Sequence, residues 1–346
     1  MSEKKLTQRQ KLILALVVRE HIEGAQPVGS RTLVEKYHLN FSPATARNEM
    51  LALSEMGYLH QPHTSAGRVP TEAGYRYFVR QLMGQYRLPE ETQRTIAHQF
   101  YQAGGDVDEW MRLAASVLAQ QSQAASMVTP PQPAEARFKH IELIATRGRQ
   151  VLMVLVLHGG QVRQQMLYLG EPVGQARLSA AADRLNQLCE NLKADDILAL
   201  SARFDALEQD VLRLTVDEMR RASGSIADEL YHDGLTNVLS EPEFAEAGAA
   251  RRALRLFDER PMMENLLNRA LSTTAVGGVQ VLIGGETDWE ELRQCSVVLA
   301  RYGAPGIITG TLGVLGPIRM PYGRTISTVR FVAGLLSDLV TERLVD

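Results

Sequence analysis

The stretch Ser42-Pro43-Ala44-Thr45-Ala46-Arg47-Asn48 holds the residue types best suited to act on a partner. Ser42 is placed to cap a helix, and Pro43 falls in its first turn, where a missing N–H costs nothing. With Ala46 inward, Met50, Leu53 and Gly57 share its face at helical spacing. Ala44, Thr45, Asn48, Ala52 and Glu55 then point outward, with Arg47 on the flank. The chemistry such residues can do is recognition and not bond making. Asparagine pairs bidentately with adenine and arginine with guanine or a phosphate, while Ser42 and Thr45 suit a phosphate or a thymine methyl. The unpaired N–H groups at the helix start attract phosphate too. Taken alone, Arg47 reads as a solvated helix charge, and Asn48 could instead cap or bond locally. A second group, His63, Thr64, Ser65 and Arg68, surrounds the turn Thr64-Ser65-Ala66-Gly67. A basic residue beside a small turn suits the minor groove or the phosphate backbone; an ordinary exposed hairpin accounts equally well for each residue singly.

The elements that must position these residues are legible nearby. Thr7-x-x-Gln10 is a capping box, and Ile13, Leu16, Val17 and Ile22 follow at helical spacing to Glu23-Gly24. Ser30 can cap a short second helix from Arg31 to Tyr37, and the third helix runs from Ser42 to Gly57. Tyr58 to Pro62 reads as a strand and Arg68-Val69 as its short return. Thr71 caps a fourth helix with Tyr75, Phe78, Val79 and Leu82 inward. Three helices, a hairpin and a further helix make the winged form of helix-turn-helix, whose third helix docks in the major groove. In that setting Arg47 reads as a DNA contact.

Composition bounds the rest. Of 346 residues, 45% are hydrophobic and 22% charged, with a net charge of −3. Residues 1–85 carry 11 Lys and Arg against 7 Asp and Glu, a net of +4, and the remainder 26 against 33, a net of −7. A basic N-terminal segment on an acidic body fits one nucleic-acid module joined to a sensing or protein-binding body. Cys189 and Cys295 form no C-x-x-C pattern and read as two reduced thiols. The apolar run Leu12 to Val18 is too short for a signal peptide and is followed by Arg19-Glu20, and nothing approaches a membrane span, so a soluble, cytoplasmic chain is expected. No G-x-S-x-G, P-loop or G-x-G-x-x-G occurs, and Gly310, Gly313 and Gly316 fit turns or close packing on a strand. Paired carboxylates such as Asp195-Asp196 read as solvated surface. His60 and His63 lack ligand partners at metal-binding spacing. The chain is therefore not expected to be an enzyme or to need a metal or cofactor.

Beyond residue 86 the pattern predicts helices at 91–103 and 107–127 and a break at Thr129-Pro130-Pro131-Gln132-Pro133. Strands follow at 138–145, 151–157 and 162–169, turned at Arg147-Gly148 and Gly159-Gly160. Helices are predicted at 179–193, 215–239 and 245–272, the last broken at Pro261. Strands return at 279–283, 296–300 and 306–315, and an amphipathic helix closes the chain from Arg324 to Leu344. The two β-rich stretches can belong to one sheet, with the mostly helical middle inserted.

Three long stretches now carry a resemblance: Pro27 to Leu33, Ser42 to Met50, and Gln61 to Thr71. Together they resemble the bacterial heat-inducible transcription repressor family HrcA. Asp233-Gly234-Leu235-Thr236-Asn237 with Pro242-Glu243-Phe244, Ile283-Gly284-Gly285-Glu286, and Gly313 to Tyr322 are similar to its later motifs. The resemblance implies an α+β chain in three parts. These are a winged-helix DNA-binding domain at 1–86, a GAF-like antiparallel-sheet domain at 91–170 and 251–346, and an inserted, mostly helical dimerising domain at 171–250. It adds Ser30 and Arg31 to Ser42, Thr45, Arg47, Asn48, His63, Thr64, Ser65 and Arg68 as expected DNA contacts. It implies a homodimer that binds the CIRCE inverted repeat upstream of chaperone operons, is kept active by a GroEL-type chaperonin and is released on heat stress. A second expectation, from the GAF-like part, is a repressor that senses a metabolite there.

Overall fold

A computed structural model of the chain describes residues 6–63, 66–84, 86–133, 135–158, 161–224, 230–245, 248, 252, 254, 255, 257, 259, 262, 263, 265–267, 274–286 and 292–345. Most of the predicted 245–272 helix with its break at Pro261, the Gly159-Gly160 turn, Thr64 and Ser65 lie outside these residues. The chain mixes helices and antiparallel sheets, an α+β architecture.

The N-terminal elements follow the local signals. Helix α1 (Gln8–Gly24) starts at the capping box, with Thr7 Oγ1 accepting from Gln10 N at 3.2 Å and Gln10 Oε1 accepting from Thr7 N at 3.0 Å. Ala25 in the left-handed region closes it. In α2 (Ser30–Lys36) the cap is Gly29, not Ser30, which sits one place inside the helix. Helix α3 (Pro43–Glu55) follows, then a hairpin of β1 (Leu59–His60) and β2 (Val69–Pro70), then α4 (Glu72–Tyr77), capped by Thr71 and continued by a π turn over Phe78–Leu82. The interior is formed by Ile13, Val17, Leu33, Met50, Leu53 and Tyr75, all buried.

After α5 (Glu90–Gln102) and α6 (Val107–Ser122), the chain departs from expectation. Helix to residue 127 was predicted, but Gln123 takes a left-handed φ of 51° and Ala125–Val128 becomes strand β3. All four of its residues are buried, and a short apolar run buried on both sides carries no period that separates strand from helix. A large sheet has the order β8-β3-β11-β10-β9, with β4 (Gln132–Pro133) paired to one end of β11. Its other strands are β8 (Tyr231–Asp233), β9 (Val279–Ile283), β10 (Cys295–Ala304) and β11 (Ile308–Pro317). The predicted 215–239 helix is correspondingly divided. Gly234 at φ 73° turns the chain between β8 and α10 (Leu235–Leu239). The closing helix α11 (Tyr322–Val340) buries Val329, Val332, Ala333, Leu336 and Val340.

The expectation of one shared sheet is corrected. Strands β5 (Phe138–Ala145), β6 (Gln150–Leu157) and β7 (Val162–Tyr168) form their own antiparallel sheet. The hairpin at Gly148, φ 63°, joins the first two. The reason lies in their inner faces. Phe138, Ile141, Val151, Met153 and Leu155 pack with Leu178 and Leu185 of α7 (Gln175–Cys189), Ile197 of α8 (Ala194–Ala199), and Leu212 and Val216 of α9 (Ala206–Gly224) as a core of their own. Two compact units result, one of 1–130, 229–302 and 311–339 and one of 131–228, 303–310 and 340–346. The 138–169 strands thus share a unit with these helices and not with 279–302.

Candidate nucleic-acid interface

Helix α3 is fixed from beneath and open above. Ser42 Oγ accepts from Thr45 N at 3.1 Å and lies 3.0 Å from Thr45 Oγ1, so the cap satisfies one of the orphan donors at the helix start. Ala46, Met50 and Leu53 are buried at 0%, 2% and 0% exposure, which fixes the rotation of the helix. Gly57, expected on the same face, instead lies beyond the helix end at φ 83°. Ser42, Ala44, Arg47 and Asn48 are exposed and Thr45 is half-buried. Arg47 and Asn48 make no hydrogen bond or ion pair among the described residues. Two donor-rich side chains therefore stand free in the first two turns of a capped helix.

Supporting contacts hold that helix in place. Arg9 on α1 pairs with Glu49 at 3.5 Å and stacks over the Phe41 ring at 5.5 Å, tying the entry of α3 to α1. Lys36 Nζ and Tyr37 Oη both donate to Glu20 at 2.6 Å. Those hydrogen bonds, Lys36 foremost, hold the Glu20 carboxyl below its usual range. Burial first, and Glu20 second, pushes the Tyr37 phenol up to about 12.

The hairpin is anchored on its turn side and at its base. Val28 and Arg68 exchange two backbone hydrogen bonds of 2.9 Å. A Cβ on Gly67 would lie 2.3 Å from the Val28 carbonyl oxygen, so only glycine allows this approach. Thr71 Oγ1 donates to the Gly57 carbonyl at 2.6 Å and fixes the other end. His63 is exposed, and its carbonyl accepts from Ala66 N at 2.9 Å. The Arg68 side chain is half-buried and pairs with no described residue. Ser30 is half-buried at the first position of α2, while Arg31 donates from Nε to Glu35 at 2.7 Å on its own helix. Glu35 is thus the partner Arg31 would have to exchange for a phosphate.

Sequence reasoning passed over His21, and it met Arg319 and Glu243 only as parts of resemblance motifs, with no sign that the fold brings them to α1. His21 Nδ1 lies 2.6 Å from Tyr75 Oη, and burial, then Arg319, then His60 hold the imidazole below its usual range against the opposing pull of Glu243. Arg319 lies about three hundred residues from α1 in the chain, a separation at which no spacing signal exists. Among the described residues no three or more His, Cys, Asp or Glu gather to hold a metal ion, and no helix is long and apolar enough to cross a membrane.

Similarity to known proteins runs along nearly the whole chain. Residues 108–326 match the family model described as the HrcA protein C-terminal domain. Heat-inducible transcription repressor HrcA of Roseiflexus castenholzii is 47% identical over 345 residues, covering 97% of this chain and 95% of that one. HrcA of Herpetosiphon aurantiacus is 43% identical over 342 residues, again covering 97% and 95%. A crystal structure described as a hypothetical protein shares the fold at a TM-score of 0.61 and 22% identity, covering 98% of this chain and 100% of that one. Identity of this order along nearly the whole length places the chain in the HrcA family of heat-inducible transcription repressors.

Proposed function

We propose that residues 6–84 act as a winged helix-turn-helix that places α3 in the major groove of an operator, with the β1–β2 hairpin as the wing. The observation that carries this reading is the free, exposed pair Arg47 and Asn48 at the capped start of a helix whose opposite face is buried. Arg47 pairs with guanine or a phosphate and Asn48 with adenine. Ser42 and Thr45 meet the backbone together with the helix N-terminus. Ser30, Arg31, His63, Thr64, Ser65 and Arg68 complete the contact set.

A dimer reads an inverted repeat by presenting one such helix to each half-site, and the repeat proposed is CIRCE. The dimerising part proposed is the helical 171–250 segment, extended by the outer face of the β5–β7 sheet, which lies in the same unit. There Ile144, Leu152 and Met166 form one cross-strand row. Val162 and Tyr168 beside them are 54% and 73% exposed. Exposed apolar side chains in neighbouring rows, with Glu142 and Gln164 between them, suit a surface that a second copy covers. The large sheet with α6 and α11 is the GAF-like part. On heating, the native fraction falls steeply because folded domains are only marginally stable. A GroEL-type chaperonin in the cytoplasm then restores it when clients are few.

Titration of a CIRCE duplex and of a single half-site tests the reading. Two chains bound per inverted repeat, tighter than on the half-site and lost on brief heating unless chaperonin and ATP are present, is the expected result. One chain per duplex with equal affinity for both would overturn it.

A further inference from the structure

Three later segments that the DNA-reading role does not use converge on the N-terminal segment. The first holds Glu241 and Glu243, just after α10. The second holds Gly284 and Gly285, just after β9. The third runs from Arg319, after β11, to Tyr322, the first residue of α11.

Arg319 is the centre of this meeting. Its side chain is 13% exposed, with Glu241 and Glu243 at 25% and 28%. Nε donates to Glu243 Oε1 at 2.6 Å and Nη2 to Glu243 Oε2 at 3.3 Å, so the fork is bidentate, while Nη2 also pairs with Glu241. Nη1 reaches the Ile22 carbonyl at 3.5 Å. Ile22 lies in the last turn of α1, where carbonyls lack an intrahelical donor and form the negative end of the helix dipole. A planar cation is the side chain that can satisfy two carboxylates and a helix end at once.

Further contacts reinforce the same junction. Gly285 N donates to Glu72 Oε2 on α4 at 3.0 Å. Gly284 holds a φ of 58°, and a Cβ there would lie 2.5 Å from the Glu72 carboxyl carbon. Tyr75 packs against Tyr322 with ring centroids 6.2 Å apart, and Tyr322 Oη donates to the Ile318 carbonyl at 2.6 Å.

We propose that Arg319 is a positioning residue for operator recognition: joined to Glu241 and Glu243, it clamps the last turn of α1 and holds the reading segment in one orientation on the body of the first unit. A clamped segment meets its second half-site already oriented, and an unclamped one must be ordered at each binding event. This inference rests on the dimeric, inverted-repeat reading proposed above.

The test uses the full chain with Arg319→Gln, and with the double change Glu241→Gln and Glu243→Gln, which opens the same clamp from the other side. Two readouts are taken: amide hydrogen exchange, and affinity for the inverted repeat relative to a half-site. Exchange at residues 19–25 is expected to quicken in both variants while β9–β11 stays protected. Half-site affinity should stay within about twofold of the parent, and the inverted-repeat preference should fall by about tenfold. Arg319→Lys, which keeps the charge without the fork, should recover part of that preference. Unchanged exchange at 19–25 overturns the clamp. An intact preference, or an equal loss on the half-site, overturns the positioning role. If Arg319→Gln loses protection throughout, the double variant decides by the same criteria. If the parent itself shows no preference for the inverted repeat, the dimeric reading fails, and exchange at 19–25 then decides for or against the clamp by itself.

Discussion

Ser42 caps α3 with its hydroxyl at an exposed helix start, the place the proposed reading gives to a phosphate. Removing that oxygen leaves the Thr45 amide without its acceptor. Ser42→Ala is expected to lower stability by about 1 kcal/mol, read as a lower midpoint in urea at an unchanged slope, and to weaken operator binding at the same time. A midpoint equal to that of the parent would show that the cap is not what orders this end of the helix. Much at this scale was legible in the chain. Ser42, Pro43 and the Ala46-Met50-Leu53 stripe declare themselves because capping and period are local properties. Ser30 misled because Gly29, with extended backbone and no side chain, takes the cap position one residue earlier. Arg319 stood in the Gly313 to Tyr322 motif, but its pairing gave no local signal, since its partners Ile22, Glu241 and Glu243 are brought to it only by the fold.

At the scale of elements, the pairing of α1 with α4 carries a titratable contact. His21 on α1 and Tyr75 on α4 share a hydrogen bond of 2.6 Å, and the imidazole faces Arg319, Glu243 and His60 as well. Burial is the first cause that lowers its pKa, so the folded chain favours the neutral ring. The unfolded chain takes up a proton first as pH falls, which draws the equilibrium away from the native state. The contribution of this residue is therefore complete above about pH 6.5 and is lost as pH falls through its lower folded value. Stability measured from pH 8 to pH 5 should decline below that point, and His21→Gln should flatten the decline. An identical slope in the variant would assign it to other groups. Helices with one buried stripe were readable from sequence, whereas β3 and β8 were not. A buried apolar run lacks a period, and short strands are fixed by their ladders: Ser126 faces Asp233, and Leu312 faces Val128. The π turn at Phe78–Leu82 likewise keeps Phe78 buried while leaving Val79 and Leu82 half-covered, a change of pitch that a uniform helical period does not anticipate.

For the whole molecule, the division into two units was hidden because a strand's own residues do not say which ladder it joins, and only the pairing shows it. One buried thiol lies in each unit, Cys295 in the first and Cys189 in the second. Burial pushes them up to about 12 and about 11, which keeps them protonated near neutrality. Neither is expected to react with a thiol reagent at pH 8 in the native state, because the thiolate is the reactive form. On heating, labelling should begin over the temperature range in which operator binding is lost, and mapping the labelled peptide identifies which unit opens first. Binding lost with both thiols still protected would mean that heat acts without unfolding either core. The central claim, that the exposed start of α3 contacts base edges, is tested most directly by comparing Arg47→Ala with the parent on the operator and on a scrambled duplex of equal length at one salt concentration. The expected result is a loss of about 1–3 kcal/mol on the operator and little change on the scrambled duplex. An equal loss on both would reduce Arg47 to a phosphate contact, and a parent chain that binds both duplexes alike would contradict the claim itself.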